Sequence, residues 1–380
     1  MEDFMPIPQA EIADRHERLR QQMDQHSLDA VLVGERYNYW FLTGHRTREI
    51  EKVMRPMLFV LPRQGDPVAI VYRQQGAKVK ANIPTVRVYG YEDLPFDTEL
   101  LVEAVKEAGL STARIGFELG PNQRLGIAYE HLSALRSALP DLVMADAGPA
   151  IETVRLHKSP YEIEMLREAA AMSARAWERV IAEFSVGQSE REFATAVGVE
   201  LLREGSEFDV AGHVTTATSR AAYDEPLQAG DTIWCDFGAT LEGYQADIGR
   251  RAVMGQPSSD QLDVHRLVTS LFDRTLEAVR PGARASDVAK ACSEAMKQAG
   301  LPELTERKRI GHGLGLNAGE GPSLGLQDHT VLEPGMVLCV EPRFFLPSKE
   351  KIHIEDVVVV TSDGYEPIST GAGELAVVAV

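Results

Sequence analysis

The chain has 380 residues, more than one domain usually holds, so two domains are the first expectation. Its 44% hydrophobic and 25% charged residues are those of an ordinary globular protein, and no apolar run approaches the roughly 20 residues that cross a bilayer. A formal net charge of -18 opposes a phosphate backbone, which needs clustered Lys and Arg, so membrane and nucleic acid are both excluded as partners.

The opening stretch, MEDFMPIPQAEIADRHERL, is acidic and has neither a basic n-region nor an apolar h-region, so no secretory signal and a cytoplasmic location are expected. A helical pattern over 9–27 is followed by apolar strands at 29–34, 57–62 and 67–72, a helix near 98–108, a strand at 113–118 and a helix near 125–138. This alternation predicts a mixed sheet covered by helices, an α/β domain over residues 1–154. GFELG at 116–120 lacks the spacing of a phosphate-binding glycine loop.

The second domain, 155–380, opens on a long helix. Ser159 is an N-cap, Pro160 suits the first helical position and Glu162 completes a capping box, so the helix runs from Pro160 to Phe184. A second box, Ser189 with Glu192, opens another helix that Gly205 can close in the left-handed conformation. Helices also fit 259–279 and 286–299, while 206–254 and 336–380 are strand-rich, which makes this half α+β. Cys235, Cys292 and Cys339 form no CxxC pair and read as core residues.

Chemistry concentrates in the strand-rich parts. In DTIWCDFGATLEGYQADIGRRAVMG (231–255) two strands flank a turn at Leu241, Glu242 and Gly243, which sets Asp236 and Asp247 opposite one another or within one position of it. In VLCVEPRFFLPSKEKIHIEDVVVV (337–360), Glu341 and Glu355 are symmetric about Ser348 and meet across a second hairpin. Like charges facing each other in apolar strands are destabilising, so cations are expected between them, and two divalent ions would neutralise four carboxylates. His312, in the Gly-rich RIGHGLGLNAGEGPSLG (309–325), is the fifth candidate. Such an oxygen-rich set suits Mn, Co or catalytic Zn better than a structural Zn site. Trp234, beside Asp236, is read as a core residue on the opposite face, and His213 and His329 as structural or solvated.

IWCDFGA followed by GYQADIGR, GHGLGL, VEPRF and IEDVVVVTSDGYEPIS, in that order, resemble the pita-bread metallohydrolases, which include prolidase, Xaa-Pro and methionine aminopeptidases and creatinase. VRLHKSPYEIEMLREAA resembles the segment that opens the catalytic domain in prolidase and its relatives, and the likeness covers essentially the whole chain. It implies a pita-bread catalytic domain behind a smaller creatinase-like α/β domain, and a homodimer. It also implies two divalent ions (Mn, Co, Zn or Fe) on Asp236, Asp247, His312, Glu341 and Glu355, with Asp247 and Glu355 bridging. A water activated between metals about 3.5–4 Å apart would attack a polarised amide carbon. Glu341, with a second oxygen free to take a proton, would be the general base, and Glu320, retained from the family motif, would supply a hydrogen bond.

The chain departs from the peptidases of this group in four places. Gly319 stands where GHGIGLEVHE-like runs carry a second histidine, and TTATSRAAYDEPLQAGD (215–231) lacks the histidine of a PH pair. Those imidazoles are donors to the substrate carbonyl and its tetrahedral intermediate, worth about 10²–10³ each in rate. IHIED replaces VRIED, and VEPRF replaces VEPG, so His353 and Arg343 are unusual. Arg343 could clamp a substrate carboxylate or face solvent, and Tyr223 and Asp224 could stand in for the missing PH histidine. The expectation is a dinuclear-metal hydrolase acting on a dipeptide or small N-substituted amino acid. The alternatives are a dimethylsulfoniopropionate-type lyase, whose family pattern has an extra Asp where this chain has Gly238, and an inactive metal-binding protein.

Overall fold

The computed structural model describes residues 7–92, 96–207, 214–218, 223–302, 304, 308–345 and 351–380, and it divides into two compact units, Met1–Arg155 and Leu156–Val380. His213 and the bend at Ser348 lie outside the described residues.

The first unit is built on strands β1 (Ala30–Val33), β2 (Leu58–Pro62), β3 (Val68–Tyr72), β4 (Arg87–Tyr91), β5 (Arg114–Phe117) and β6 (Val143–Asp146), in the order β4-β3-β2-β1-β5-β6. β1, β2 and β3 pair antiparallel, whereas β4, β5 and β6 join in parallel, so the sheet is mixed as expected. Its helices are α1 (Gln9–Gln25), α2 (Arg36–Thr43), α3 (Gly76–Asn82), α4 (Thr98–Glu107), α5 (Tyr129–Ala138) and α6 (Gly148–Leu156). β4, β6, α2, α3 and α6 were not expected from the sequence. β4 and β6 are edge strands carrying part-exposed residues, so neither presents the continuous apolar run that reveals a central strand.

In the second unit the capping arguments hold. Helix α7 runs Pro160–Glu183 and α8 runs Glu190–Arg203, each with both bonds of its capping box, and Gly205 follows at φ +99°. Helices α9 (Ser259–Leu276) and α10 (Ala285–Gln298) lie close to their expected spans. Strands β7 (Thr215–Thr218), β8 (Thr232–Phe237), β9 (Thr240–Leu241), β10 (Tyr244–Gln245) and β11 (Ile248–Met254) form one meander. After α10 come β12 (Arg309–Gly313), β13 (Glu320–Gly325), β14 (Val337–Val340), β15 (Arg343–Phe345), β16 (Lys351–His353), β17 (Asp356–Val360), β18 (Tyr365–Pro367) and β19 (Leu375–Val378). The strands of this unit assemble into a four-stranded sheet, β19-β11-β8-β7, a five-stranded sheet, β13-β12-β14-β17-β18, and the two-stranded ladders β10-β9 and β15-β16. A bridge between Gly249 and Glu355 links the two larger sheets. The apolar faces of α9 and α10 cover β12, β13, β14 and β17 in a core that includes Val268, Leu271, Val288, Cys292, Ile310, Leu338 and Val358.

The two hairpins that carry the carboxylates differ in register from one another. In the first, the loop is the two-residue turn Glu242-Gly243, at φ +52° and +82°, the left-handed pair that a type I′ turn requires. Tyr244 consequently pairs with Leu241, and Asp236 pairs with Gly249. The expected face-to-face pairing of Asp236 with Asp247 is therefore corrected. Asp247 lies two positions from Gly249, so the aspartates share one face as diagonal neighbours. In the second hairpin Val340 pairs with Asp356 and Arg343 with His353, and this common register sets Glu341 across from Glu355, as the symmetry about Ser348 predicts.

Helix α7 holds the first hairpin in place. The hydroxyl of Ser173 accepts the Ala239 N–H at 2.8 Å, and Tyr244 donates its hydroxyl to the capping residue Glu162 at 3.0 Å. At the bend between β8 and β9, a Cβ on Gly238 would lie 1.7 Å from the Ala246 carbonyl oxygen. The hairpin closes only around a glycine there. We predict that Gly238→Ala lowers the stability of the protein by about 1–3 kcal/mol or more, read as a reduced urea midpoint, with Gly187→Ala, in open space but at φ +99°, losing only a backbone-strain increment.

Candidate metal centre

Asp236 projects from the end of β8, Asp247 from the residue before β11, His312 from β12, and Glu341 and Glu355 from the irregular step between β14 and β15 and its partner between β16 and β17. These five come together with two further side chains. Donor atoms of Asp247, His312, Cys339 and Glu355 lie within 4.8 Å of one another, as do those of Asp236, Glu341, His353 and Glu355. Glu355 belongs to both groups. Asp236 is the most open member, its side chain 13% exposed, whereas Glu355 is 1% and His353 0% exposed.

The imidazole of His312 is aimed by its backbone. Nδ1 lies 3.0 Å from the Gly313 carbonyl oxygen, so it carries the proton and donates it there. Nε2 is left as a lone pair pointing 3.6 Å from Asp247 and 3.5 Å from Glu341. An outer hydrogen bond that selects the ring tautomer is the usual support for a metal-binding histidine. Glu341 is split between two neighbours, one oxygen toward His312 and the other accepting from Arg343 at 2.8 Å. Its second oxygen is thus engaged in this structure, in contrast to the free oxygen expected from sequence. Arg343 itself is half-exposed, but its guanidinium turns back onto Glu341 and stands 4.0 Å from Asp236.

Electrostatics argue that this cluster fits divalent cations. Burial, then repulsion from Asp247, Asp236 and Glu341, pushes the Glu355 carboxyl well above the usual range. Burial also raises Glu341, while Arg343 and His312 pull it back down. Carboxylates that resist ionising beside one another are stabilised most directly by cations placed among them, and mixed oxygen and imidazole donors match borderline divalent metals.

Several residues of the site carry no signal that the sequence reading used. Gly249, opposite Asp236, would place a Cβ 2.7 Å from the Glu355 Cβ and 2.8 Å from the His353 ring, so its missing side chain is what lets the strands close over the cluster. Arg250, 3% exposed, donates to the backbone carbonyls of Glu355 (2.8 Å) and Thr370 (2.6 Å) and to the Asp356 carboxylate (2.9 Å), which fixes the strand that presents Glu355. Cys339 departs from the expectation of a plain core residue. It is buried, but its thiol donates to Glu355, and burial and the surrounding carboxylates hold its pKa well up. Trp234 also corrects its expectation. Residues two apart on a strand share a face, so Trp234 lies with Asp236 and packs its ring 5.2 Å from that of His353. An arginine within an apolar strand and a Trp two positions from a ligand were the available clues.

The remaining candidates take other positions. Glu320 accepts from Lys158 at 3.1 Å and from the Asn317 N–H at 3.1 Å, bracing the loop that follows His312. Tyr223 is exposed, with the Arg191 guanidinium 4.8 Å over its ring and Asp224 bound to the same arginine. Among the described contacts, none joins Tyr223 to the carboxylate cluster. His329 meets Ser286 at 3.3 Å, in keeping with a structural or solvated role.

Divalent cations should stabilise the folded chain through this cluster. At a concentration 100 times the dissociation constant, Co(II) or Mn(II) is expected to add about 2.7 kcal/mol, seen as a rise in melting temperature. Glu355→Gln, which removes the carboxylate common to both groups, should abolish most of that rise. An unchanged metal-induced shift in Glu355→Gln would show that the cations bind elsewhere.

The comparisons with known proteins agree with this geometry. Residues 164–362 match the model of metallopeptidase family M24, and residues 15–157 match the creatinase/prolidase N-terminal domain. The chain is 26% identical over 371 residues to an Xaa-Pro dipeptidase of Pyrococcus furiosus, covering 95% of this chain and 99% of the relative. It is 28% identical over 363 residues to a probable dipeptidase PepE of Mycobacterium bovis, covering 93% of each. The crystal structure of dipeptidase PepE from Mycobacterium ulcerans superposes with a TM-score of 0.81 at 26% identity, covering 98% of this chain and 100% of that one. An N-terminal creatinase-type domain, a catalytic unit of two linked sheets and a buried carboxylate and imidazole cluster together make this chain a member of the metallopeptidase family M24, a family of metal-dependent hydrolases.

Proposed function

We propose that the chain is a dinuclear-metal-dependent hydrolase that cleaves the amide bond of a dipeptide or small N-substituted amino acid, with Xaa-Pro dipeptides as the first substrates to test. The observation that carries this reading is the convergence of Asp236, Asp247, His312, Glu341 and Glu355 in one buried cluster with Arg343 at its open edge. Near-full-length likeness to an Xaa-Pro dipeptidase supports the substrate class. The five residues would hold two divalent ions, Mn, Co, Zn or Fe. When bound, the ions supply Lewis-acid polarisation of the scissile carbonyl and a water nucleophile near neutral pH.

The chain's own residues would divide the remaining work. Arg343 is the cation that a dipeptide carboxylate meets at the rim, and a planar guanidinium can hold it bidentately. Leaving Glu341 for the substrate would release the Glu341 oxygen that accepts from Arg343, and Glu341 could then take the proton of the attacking water. Glu320 is best read as a positioning residue, since its contacts are with Lys158 and the loop after His312. Tyr223, near the place of the absent PH histidine, is kept as a rim residue for the substrate's other end. A homodimer and a cytoplasmic location complete the reading; among the described residues no helix is long and apolar enough to cross a membrane.

The lyase alternative is not favoured, because Gly238, where the lyase pattern has an Asp, leaves no room for even a Cβ beside the Ala246 carbonyl. Loss of catalysis is likewise not favoured by a cluster that keeps every expected ligand.

Two measurements test the reading. Metal-loaded protein should release free proline from Xaa-Pro dipeptides, and Arg343→Ala should raise KM by roughly 10–100-fold, the loss of a charge-assisted hydrogen bond. Absence of release from any dipeptide or N-acyl amino acid would refute the substrate class. Gly319 offers the complementary gain of function, since no atom lies within 4 Å of a Cβ built there. Gly319→His should increase kcat toward the about 10² that one such donor supplies, and no gain would show that another group already does this work.

A further inference from the structure

His353 stands where the related VRIED pattern has an arginine, and the structure gives it surroundings unlike those of a substrate-binding residue. Its side chain is fully buried, and Nε2 lies 2.8 Å from Glu355 and 3.6 Å from Asp236. A donor nitrogen of the same ring falls within 4.8 Å of the donor atoms of Asp236, Glu341 and Glu355. The ring's place is built by two neighbours: Trp234 packs at 5.2 Å on one side, and Gly249 leaves the space that any side chain would take from the ring.

The cluster therefore has two halves. His312 points Nε2 at Asp247 and Glu341, and His353 points Nε2 at Asp236 and Glu355. We infer that His353 is a sixth metal ligand, giving the Asp236 side of the centre its own imidazole. This rests on the dinuclear reading proposed above. A neutral imidazole with its proton on Nδ1 presents the Nε2 lone pair to a cation, and that cation replaces the single proton now shared between Nε2 and Glu355 with a charge that reaches all three carboxylates. An arginine at this position could not do so, because a guanidinium has no lone pair to give. The second nitrogen donor also moves the preference of the site away from Mn(II) and toward Co(II), Ni(II) or Zn(II).

Paramagnetic proton NMR of the Co(II)-loaded full-length chain reads the ligands directly, because an imidazole bound through Nε2 shows its own exchangeable, hyperfine-shifted Nδ1–H signal. Two such signals are expected in the wild type. His353→Gln should lose one and His312→Gln the other, and His353→Gln should bind its second Co(II) roughly 10-fold more weakly or worse in a titration. A wild type that takes up two Co(II) ions yet shows one signal overturns the assignment and leaves His353 as a hydrogen-bond donor orienting Glu355. Failure of the wild type to take up Co(II) at all refutes the metal centre itself, and this assignment with it. Because the signal count is made on the wild-type protein, the test stands even if either variant fails to fold.

Discussion

Four carboxylates gathered into one largely buried region of the protein are the constraint on which the second unit is organised. An isolated buried carboxylate costs several kcal/mol, and each additional one raises the cost for its neighbours. Glu355 shows this most strongly, being nearly inaccessible and repelled by Asp247, Asp236 and Glu341 together. A fold that retains such a cluster must hold the strands together against that repulsion, and the packing around it supplies the means. Arg250 reaches over the Glu355 backbone to Asp356, while Ser369 and the Ala372 N–H bond the same Asp356 carboxylate. These bonds keep the strand in place from behind without neutralising the carboxylates in front.

The same sharing of contacts shapes the rim. Glu341 lends one oxygen to the interior, toward His312, and the other to Arg343 at the surface. Substrate recognition and proton transfer would then be coupled through a single carboxylate, since a carboxylate-bearing substrate competes for the arginine that occupies it. The expected carboxylates and His312 all converge in the cluster, while Gly319, where the peptidase pattern has a histidine, leaves open space.

The partner of Asp236 and the face of Trp234 both differ from the sequence expectation, for related reasons. The pairing of Asp236 with Asp247 assumed the wrong centre for the hairpin, and the Glu242-Gly243 turn moves the register by two residues along the strand. Because side chains alternate with period two, that shift kept both aspartates on one face, although their carboxylates fall in different groups of the cluster, which Glu355 joins. Trp234 suffered from the converse slip, since its spacing of two from Asp236 places it at the site. Cys339 and Gly249 were invisible for a different reason: a thiol and a missing side chain acquire meaning only from what the neighbouring strand brings beside them.

Much of this protein was legible in the chain alone. Capping boxes at Ser159 and Ser189 mark where α7 and α8 begin, because the bonds that start a helix are local. The motifs from Asp236 to Glu355 mark the strands whose carboxylates converge in the cluster, since a charge inside an apolar strand is tolerated only when a partner of opposite sign meets it. Tertiary structure alone decided how those strands meet. The bridge between Gly249 and Glu355, the arginine behind it, and the approach of His353 to Asp236 all join segments roughly 100 residues apart, and no local propensity reports on such contacts.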